Sequence, residues 1–440
     1  MNDRPGRINP AFFALLGLLC IGATGAALGA QDASAPAASA TSTQSVYLEY
    51  RELSVGVGNW GIPMTLQSAP FKKEPDLGQR KVYRGTLKFG DSTEAFVPFI
   101  WDQAQGKLYL DLNRNQDLTD DADGVFACQG PPNYPFQTFG RVRLPFKTPL
   151  GMERVAVDLS FNEFRDTPNA SATPYYCWEA KVTQGGQDWQ VALVDNPVGK
   201  LGSAQNGSLI IRPWADRGKA IDSLYGSLDS LPFTANVFFG QRACHLDCAL
   251  AQQDNYLKYR LTLTERPEQL GELTITGQYI HRLVLSRAGP GSAPVTGSAA
   301  QVAMAKRYGV SAQTPSLTVI LESPGPVVKV PVGSYQCQLS LKQGAVEARP
   351  LANNFGLYNQ NSGPLVVSAA NTATMAFGGP LTNSVTVDRR GRSLALNYQL
   401  LGAKGEAYQL QGVRKEPEFA IYRPAKSGDK KLASGRFQFG

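Results

Sequence analysis

Apolar and polar residues alternate with period two along much of the chain. Leu87 and Phe89 alternate with Thr86, Lys88 and Gly90, and Leu108 and Leu110 with Lys107, Tyr109 and Asp111. Farther on, Leu261 and Leu263 alternate with Thr262 and Thr264. Leu394, Leu396, Tyr398 and Leu400 alternate with Ala395, Asn397 and Gln399. Successive side chains of a strand point to opposite faces, so each run predicts a strand with one face in a core and the other in water. Clusters of Gly, Pro, Asn and Asp break the runs about every ten residues, a spacing that favours sandwiches. Residues 298–308 (SAAQVAMAKRY) depart from this pattern. A capping Ser298, good helix formers and a following Gly309 predict one short helix. The expected fold is all-β, in several β-sandwich units.

The units can be placed roughly. Phe96–Asp102 (FVPFIWD) and 191–195 (VALVD) are both apolar strands that end in Asp at a turn. This echo predicts two related β units within 46–265. A third unit is expected over 266–345 and a last one over 346–440. The last ends in a hairpin of 419–422 with 432–439 across Lys426-Ser427-Gly428-Asp429-Lys430. In the third unit, Pro331, Gly333 and Tyr335 stand in the order P-x-G-x-Y. This resembles the strand entry of transthyretin-like and carboxypeptidase-regulatory β-sandwiches. The resemblance covers one strand and implies a transthyretin-like or Ig-like build there.

Composition narrows the class. Of 440 residues 42% are hydrophobic and 18% charged, enough apolar material for a core and too much for a disordered chain. At roughly 150 residues per domain the length fits two or three domains. Mean hydropathy is −0.22, which excludes a polytopic membrane protein. Arg4 and Arg7 precede an uncharged, apolar stretch over 11–30, and Leu28-Gly29-Ala30 offers a cleavage site before Gln31. The strongly apolar part spans only 12–21, while a bilayer span needs about 20 such residues. Residues 1–30 therefore read as a signal peptide. Leu19 before Cys20 is too large for a lipoprotein site. Residues 31–45 (QDASAPAASATSTQS) read as a disordered linker. The expected location is periplasmic or extracellular, with no membrane span after cleavage and no nucleic acid as partner. Cys128, Cys177, Cys244, Cys248 and Cys337 remain, an odd number in a compartment that permits disulfides.

One segment carries chemistry. Five Asp and two Asn fall within residues 111–123 (DLNRNQDLTDDAD) of a basic protein. A hard cation takes six to eight oxygens at about 2.3–2.6 Å, which a tight turn supplies from its first, third and fifth side chains. Asp111, Asn113 and Asn115 fit those positions. The Asp117 carbonyl fits the seventh, and Asp120 or Asp121 closes the shell. The segment resembles the D-x-[DN]-x-[DN] calcium loops of EF-hands, dockerins and thrombospondin-type repeats. It departs from the EF-hand at Gln116, where glycine is usual, at Ala122, where glutamate is usual, and in its leading strand. The resemblance implies a structural calcium ion at a strand end rather than a helix-opening sensor. The competing reading is a solvated acidic loop.

Other signals point elsewhere. Gly56-Val57-Gly58-Asn59-Trp60-Gly61 matches G-x-G-x-x-G, but Pro63 follows and no helical period does, so a glycine-rich turn is expected and no dinucleotide cofactor. Cys244-His245-Leu246-Asp247-Cys248 holds zinc-ligand types. On a strand, though, the two cysteines share one face with Leu246 and lie too far apart to bridge. Packing, or pairing with other cysteines, is the expected role. His281 is expected on the polar face of a strand, and neither histidine has the company of a nucleophile elbow. Trp101, Trp178, Trp189 and Trp214 are expected in cores.

Charge is skewed. Residues 389–440 hold eleven Lys/Arg and four Asp/Glu, a net of +7, and cleavage of the leader takes the whole chain from +7 to +6. The remainder of the mature chain is thus slightly acidic. Arg389, Arg390, Arg392, Arg414, Lys415, Lys430 and Lys431 suggest a patch for an anionic envelope polymer or an acidic protein, against the alternative of a solvated hairpin surface. The sequence also resembles secreted bacterial proteins that join Asp-rich loops to β-sandwich units, a resemblance that carries no activity with it. With no catalytic constellation visible, the expectation is an exported non-catalytic binding or structural protein with a structural calcium site. The alternative is a secreted carbohydrate-active hydrolase with accessory β domains, which requires two carboxylates about 5–10 Å apart in a cleft.

Overall fold

The computed structural model describes residues 42–89, 96–148, 151–195, 207–219, 221, 230–253, 256–287, 316–344, 346–350, 364–391, 393–411, 417–424 and 428–437. The expected signal peptide, most of the expected linker and the expected helix at 298–308 lie outside them. The fold is all-β: its only helical turns, among the described residues, are the three-residue stretches Ala122–Gly124 and Trp214–Asp216. No helix among the described residues is long and apolar enough to cross a membrane.

Two sheets build the first layer pair. A five-stranded antiparallel meander runs Met64–Gln67, Tyr83–Lys88, Phe96–Asp102, Lys107–Leu110, Val125–Ala127. A four-stranded sheet orders Trp60–Ile62, Thr167–Pro174, Gly151–Phe164 and Phe136–Thr148. Phe99 and Trp101 of the first meet Phe161 of the second at ring separations of 5.2 and 5.4 Å. All three are fully buried.

A second layer pair follows. Ser230–Leu231, Gly207–Pro213, Gln187–Asp195, Tyr176–Gln184 and Glu49–Glu52 form one antiparallel sheet. It packs on Thr43–Tyr47, Tyr256–Arg266, Arg242–Gln253 and Thr234–Phe239, which begin a twelve-stranded sheet. Trp178 meets Tyr259 and Trp189 meets Phe239 edge-on across the interface, and one apolar core spans both layer pairs. The strand Thr43–Tyr47 starts inside the stretch expected to be linker. Its pairing with Tyr256–Arg266 explains the difference: Ser45 bonds Thr262 and Ser42 bonds Glu265 side chain to side chain. Polar Thr and Ser sit well on such an exposed edge, where composition alone suggests disorder.

The large sheet continues through a parallel junction, Val237 beside Thr318 and Phe238 beside Val319. Beyond it come Leu317–Glu322, Ile280–Arg287, Gly333–Gln343, Val346–Pro350, Ala407–Gln411, Ser393–Leu401 and Thr382–Arg390. A three-stranded sheet of Val327–Pro331, Leu270–Ile275 and Ala373–Met375 covers part of it and encloses a second core. At the P-x-G-x-Y entry the Tyr335 hydroxyl, fully buried, donates to the Pro331 carbonyl at 2.5 Å. The last hairpin pairs Glu418–Arg423 with Lys430–Arg436.

Two details depart from the sequence reading. Trp214 lies in a helical turn after its strand, half-buried under Arg217 at 4.8 Å and Lys181 at 5.9 Å, rather than in a core. The alternation at 394–400 leaves Leu394 half exposed and buries only Leu400, because no sheet among the described residues covers that face.

The later half of the large sheet is tied to the five-stranded sheet through a buried ion pair. Arg282 and Glu322 are cross-strand neighbours, and Arg282 also donates to the Ile211 carbonyl of the five-stranded sheet at 2.7 Å. Removing one partner of such a pair strands the other charge, at a cost of about 3–5 kcal/mol. Glu322→Ala is accordingly expected to lower the melting temperature clearly in calorimetry, and Glu322→Gln less; equal melting of Glu322→Ala and wild type would contradict a buried pair.

Candidate metal centre

The strand Lys107–Leu110 ends at Asp111, whose backbone N–H bonds the Pro98 carbonyl at 2.9 Å. This strand is buried on both faces. Leu108 and Leu110 enter the main core, whereas Tyr109 joins Ile100, Phe71, Leu77 and Leu118 in a small second cluster. Alternation alone placed Tyr109 in water. The segment 71–82 folds over that face and brings its own apolar residues with it.

Asp111 is fully buried at the strand end. Its carboxylate accepts the backbone N–H of Asn115 at 3.1 Å and of Gln116 at 2.8 Å. These two bonds close the turn. Arg114 and Gln116 take positive φ of 65° and 67° to let the backbone wrap around the carboxylate. Side-chain oxygens then step along the turn. Asn113 Oδ1 accepts the N–H of Asn115, and Asn115 Oδ1 that of Asp117. Gly124 closes the far end: a Cβ there would collide with the Leu110 carbonyl, so a larger residue would push the loop off the strand.

The structure brings together the side chains of five of the six expected ligand residues, the sixth, Asp117, being expected to offer its carbonyl. Asp120 lies between Asn113 and Asn115, accepting their amide N–H groups at 3.1 and 2.7 Å. Asp121 accepts the Leu112 N–H at 3.2 Å. Burial, and then the charges of Asp111 and Asp120, push the Asp121 carboxyl above its ordinary pKa. Asp117 is the exception. Its carboxylate turns to Lys73 Nζ at 2.6 Å, which holds its pKa down at about 2, with Thr119 also donating to it. Only its backbone carbonyl is available to an ion, the atom expected at that position.

Several residues that brace the loop carried no sequence signal. Lys73 pairs backbone to backbone with the loop, through the Gln116 carbonyl at 3.2 Å and the Leu118 N–H at 3.1 Å. Lys72 Nζ reaches the Asn115 carbonyl at 3.3 Å. Arg114 lies over Phe96 with its Nε buried and without a hydrogen bond, and burial lowers its pKa. Leu118 was legible in hindsight, being the one large apolar side chain after Leu112 in the acidic run. It plugs the loop into the small cluster.

All side-chain donors facing the turn are oxygens, a hard set that suits calcium and not zinc. They are grouped but not yet converged. Among the described residues no three His, Cys, Asp or Glu side chains stand in metal-holding geometry. Asn113 and Asn115 would have to swing their amide oxygens toward an ion, a small rotation about terminal torsions that are soft.

The other candidates resolve as packing. Gly56 to Gly61 forms a turn into the short strand Trp60–Ile62, with Gly58 at φ 72° against the Trp60 ring, and no helix follows. Cys244, Leu246 and Cys248 share a buried face, and His245 Nδ1 bonds the Asn236 side chain at 2.9 Å. Cys177, Cys244 and Cys337 lie in three different clusters, and no disulfide forms among the described residues. Burial pushes the thiols of Cys177 and Cys244 up to about 12, which makes them unreactive. The buried carboxylates are engaged: Asp102 with Arg80, Glu179 with Arg51 and Arg217, Asp158 with the Arg141 N–H.

The class this defines is an all-β protein of several packed sheets with an acidic turn braced at a strand end. Compared with protein-family models, with curated proteins and with solved structures, the chain finds no match.

Lys73→Met removes the cation that depresses the Asp117 pKa. A depressed carboxyl contributes stability above its unfolded pKa of about 3.9 and loses it as pH falls through the folded value. The variant is therefore expected to shed that contribution at higher pH. Its Asp117 carboxyl, followed by carbon NMR, should titrate near the ordinary range; a midpoint still near 2 would show that Lys73 is not the cause.

Proposed function

We propose that this chain is an exported, non-catalytic binding or structural protein of the periplasm or cell exterior, with its first sheet clamped by one calcium ion in the 111–121 turn. The observation that supports it most is the Asp111 carboxylate. It is fully buried, anchors the turn through Asn115 and Gln116, and gathers Asn113, Asn115, Asp120 and Asp121 around it. Burial first, and then the charges of Asp111 and Asp120, raise the Asp121 pKa, so the three carboxylates crowd like charge into one turn. A divalent cation relieves that repulsion and takes the place at Asp120 of the N–H groups that Asn113 and Asn115 now donate. The export half of the proposal is supported by the charged, apolar and small-residue order of residues 1–30. No observation favours a hydrolase as a second reading, since the buried carboxylates face cations or backbone N–H groups.

The role of such an ion is mechanical. The turn joins the end of Lys107–Leu110 to the small cluster of Phe71, Leu77 and Leu118, which covers the outer face of the first sheet. Holding the turn holds that cover in place and presents a rigid surface for binding.

Calcium titration by calorimetry, with melts in calcium and in chelator, tests the proposal. Saturable binding that raises the melting temperature is expected. Asp120→Asn keeps the turn's hydrogen bonds to Asp111 and should abolish binding while leaving the chelated melt close to wild type. Affinity should fall on acidification through the raised Asp121 pKa, because protons compete for the folded carboxylate. Neither heat nor shift with wild type would contradict the clamp.

A further inference from the structure

The strands Thr382–Arg390 and Ser393–Leu401 form a long antiparallel ribbon at the end of the twelve-stranded sheet. Its register pairs Val385 with Tyr398, Val387 with Leu396 and Arg389 with Leu394. Paired and alternate residues share a face, so Val385, Val387, Leu394, Leu396 and Tyr398 make one apolar stripe. At its root Leu400 is buried and Phe437 packs on Tyr398 at 5.2 Å. Toward the tip nothing among the described residues covers it: Val385 is 46%, Val387 59% and Leu394 51% exposed. A two-stranded ribbon is marginal in water even without such a stripe.

Charge indicates what covers it. Arg389 stands on the same face as the stripe, at its tip, and has no acidic partner among the described residues; its Nε reaches only the Gly391 carbonyl. On the opposite face Arg390 is already neutralised by Asp388 at 2.9 Å. The neighbouring hairpin repeats the combination. Tyr422 and Leu432 are about half exposed, beside Lys431, which pairs with Tyr422, and the Arg423–Lys430 pair. Phe437 joins the two ribbons by touching both Tyr398 and Phe419. Apolar side chains with unpaired cations at their margin match the boundary between acyl chains and anionic headgroups. A second copy of the chain would bring Arg389 against Arg389. A soluble anionic polymer would leave Val387 and Leu394 in water.

We propose that these two ribbons dock the protein on a membrane surface that carries anionic lipid, the stripe entering the interface and Arg389 and Lys431 contacting headgroups. This goes beyond the calcium proposal and does not depend on it.

The mature chain is floated with phosphatidylcholine vesicles, with and without phosphatidylglycerol, at low and high salt. Binding is expected only with phosphatidylglycerol and is weakened by salt. V387S/L394S should weaken it by roughly tenfold or more, since both apolar side chains then no longer enter the interface. R389Q should weaken it roughly fivefold, the worth of one charge at an anionic surface. Both variants change exposed positions, and their melts should match wild type. Three results overturn the proposal: no flotation with either vesicle; undiminished binding of V387S/L394S together with equal binding to polyphosphate, which assigns the surface to an anionic polymer; or concentration-dependent dimerisation lost in V387S/L394S, which assigns it to a second copy.

Discussion

A sheet with an apolar face must have that face covered, and most of this molecule follows from how each sheet meets the demand. The meander is covered by the four-stranded sheet through Phe99, Trp101 and Phe161. The five-stranded sheet is covered by the start of the large sheet through Trp178 and Trp189. The later part of the large sheet is covered by three short strands around Tyr335 and Met375. Where the cover runs out, at the ribbon of Val387 and Leu394, the same demand becomes a reason to seek an external surface. At roughly 25 cal/mol per Å² of apolar surface, burial dominates the other local terms and sets the architecture.

The acidic turn belongs to this scheme. The strands Phe96–Asp102 and Lys107–Leu110 have apolar residues on both faces, and Ile100 and Tyr109 need a second cover. The segment around Phe71 and Leu77 provides it, and Leu118 completes it from within the turn. Backbone bonds of Lys73 to Gln116 and Leu118 stitch that cover to the turn. Asp111 therefore does two things at once. It terminates a buried strand and gives the turn its shape, and the proposed ion would stiffen both.

Strands and their faces were legible in the sequence wherever alternation was clean, as at Leu261 and Leu263. That the glycine-rich stretch turns rather than opening a helix followed from Pro63, and that the two cysteines share one face followed from side-chain parity. Tyr109 was misread because alternation reports polarity and not what lies beyond it. Its cover comes from residues about thirty to forty positions away, and no local pattern announces them. Trp214 was misread for a related reason: Arg217 and Lys181 hold its ring at the surface, and a strand-like neighbourhood says nothing about such cations. The oxygen-bearing side chains that shape the turn were read directly, since Asp111, Asn113 and Asn115 recur at fixed spacing. The diversion of Asp117 to Lys73 was invisible, because forty-four residues separate them.

The central claim is that the turn at Asp111 holds the first sheet and its cover together, and that calcium tightens it. Amide hydrogen exchange, compared in calcium and in chelator, reads this residue by residue. The amides of Asn115, Gln116 and Leu118 should slow markedly in calcium, with slower exchange spreading to Tyr109 and to Lys73. Unchanged exchange throughout 107–124 would contradict the account.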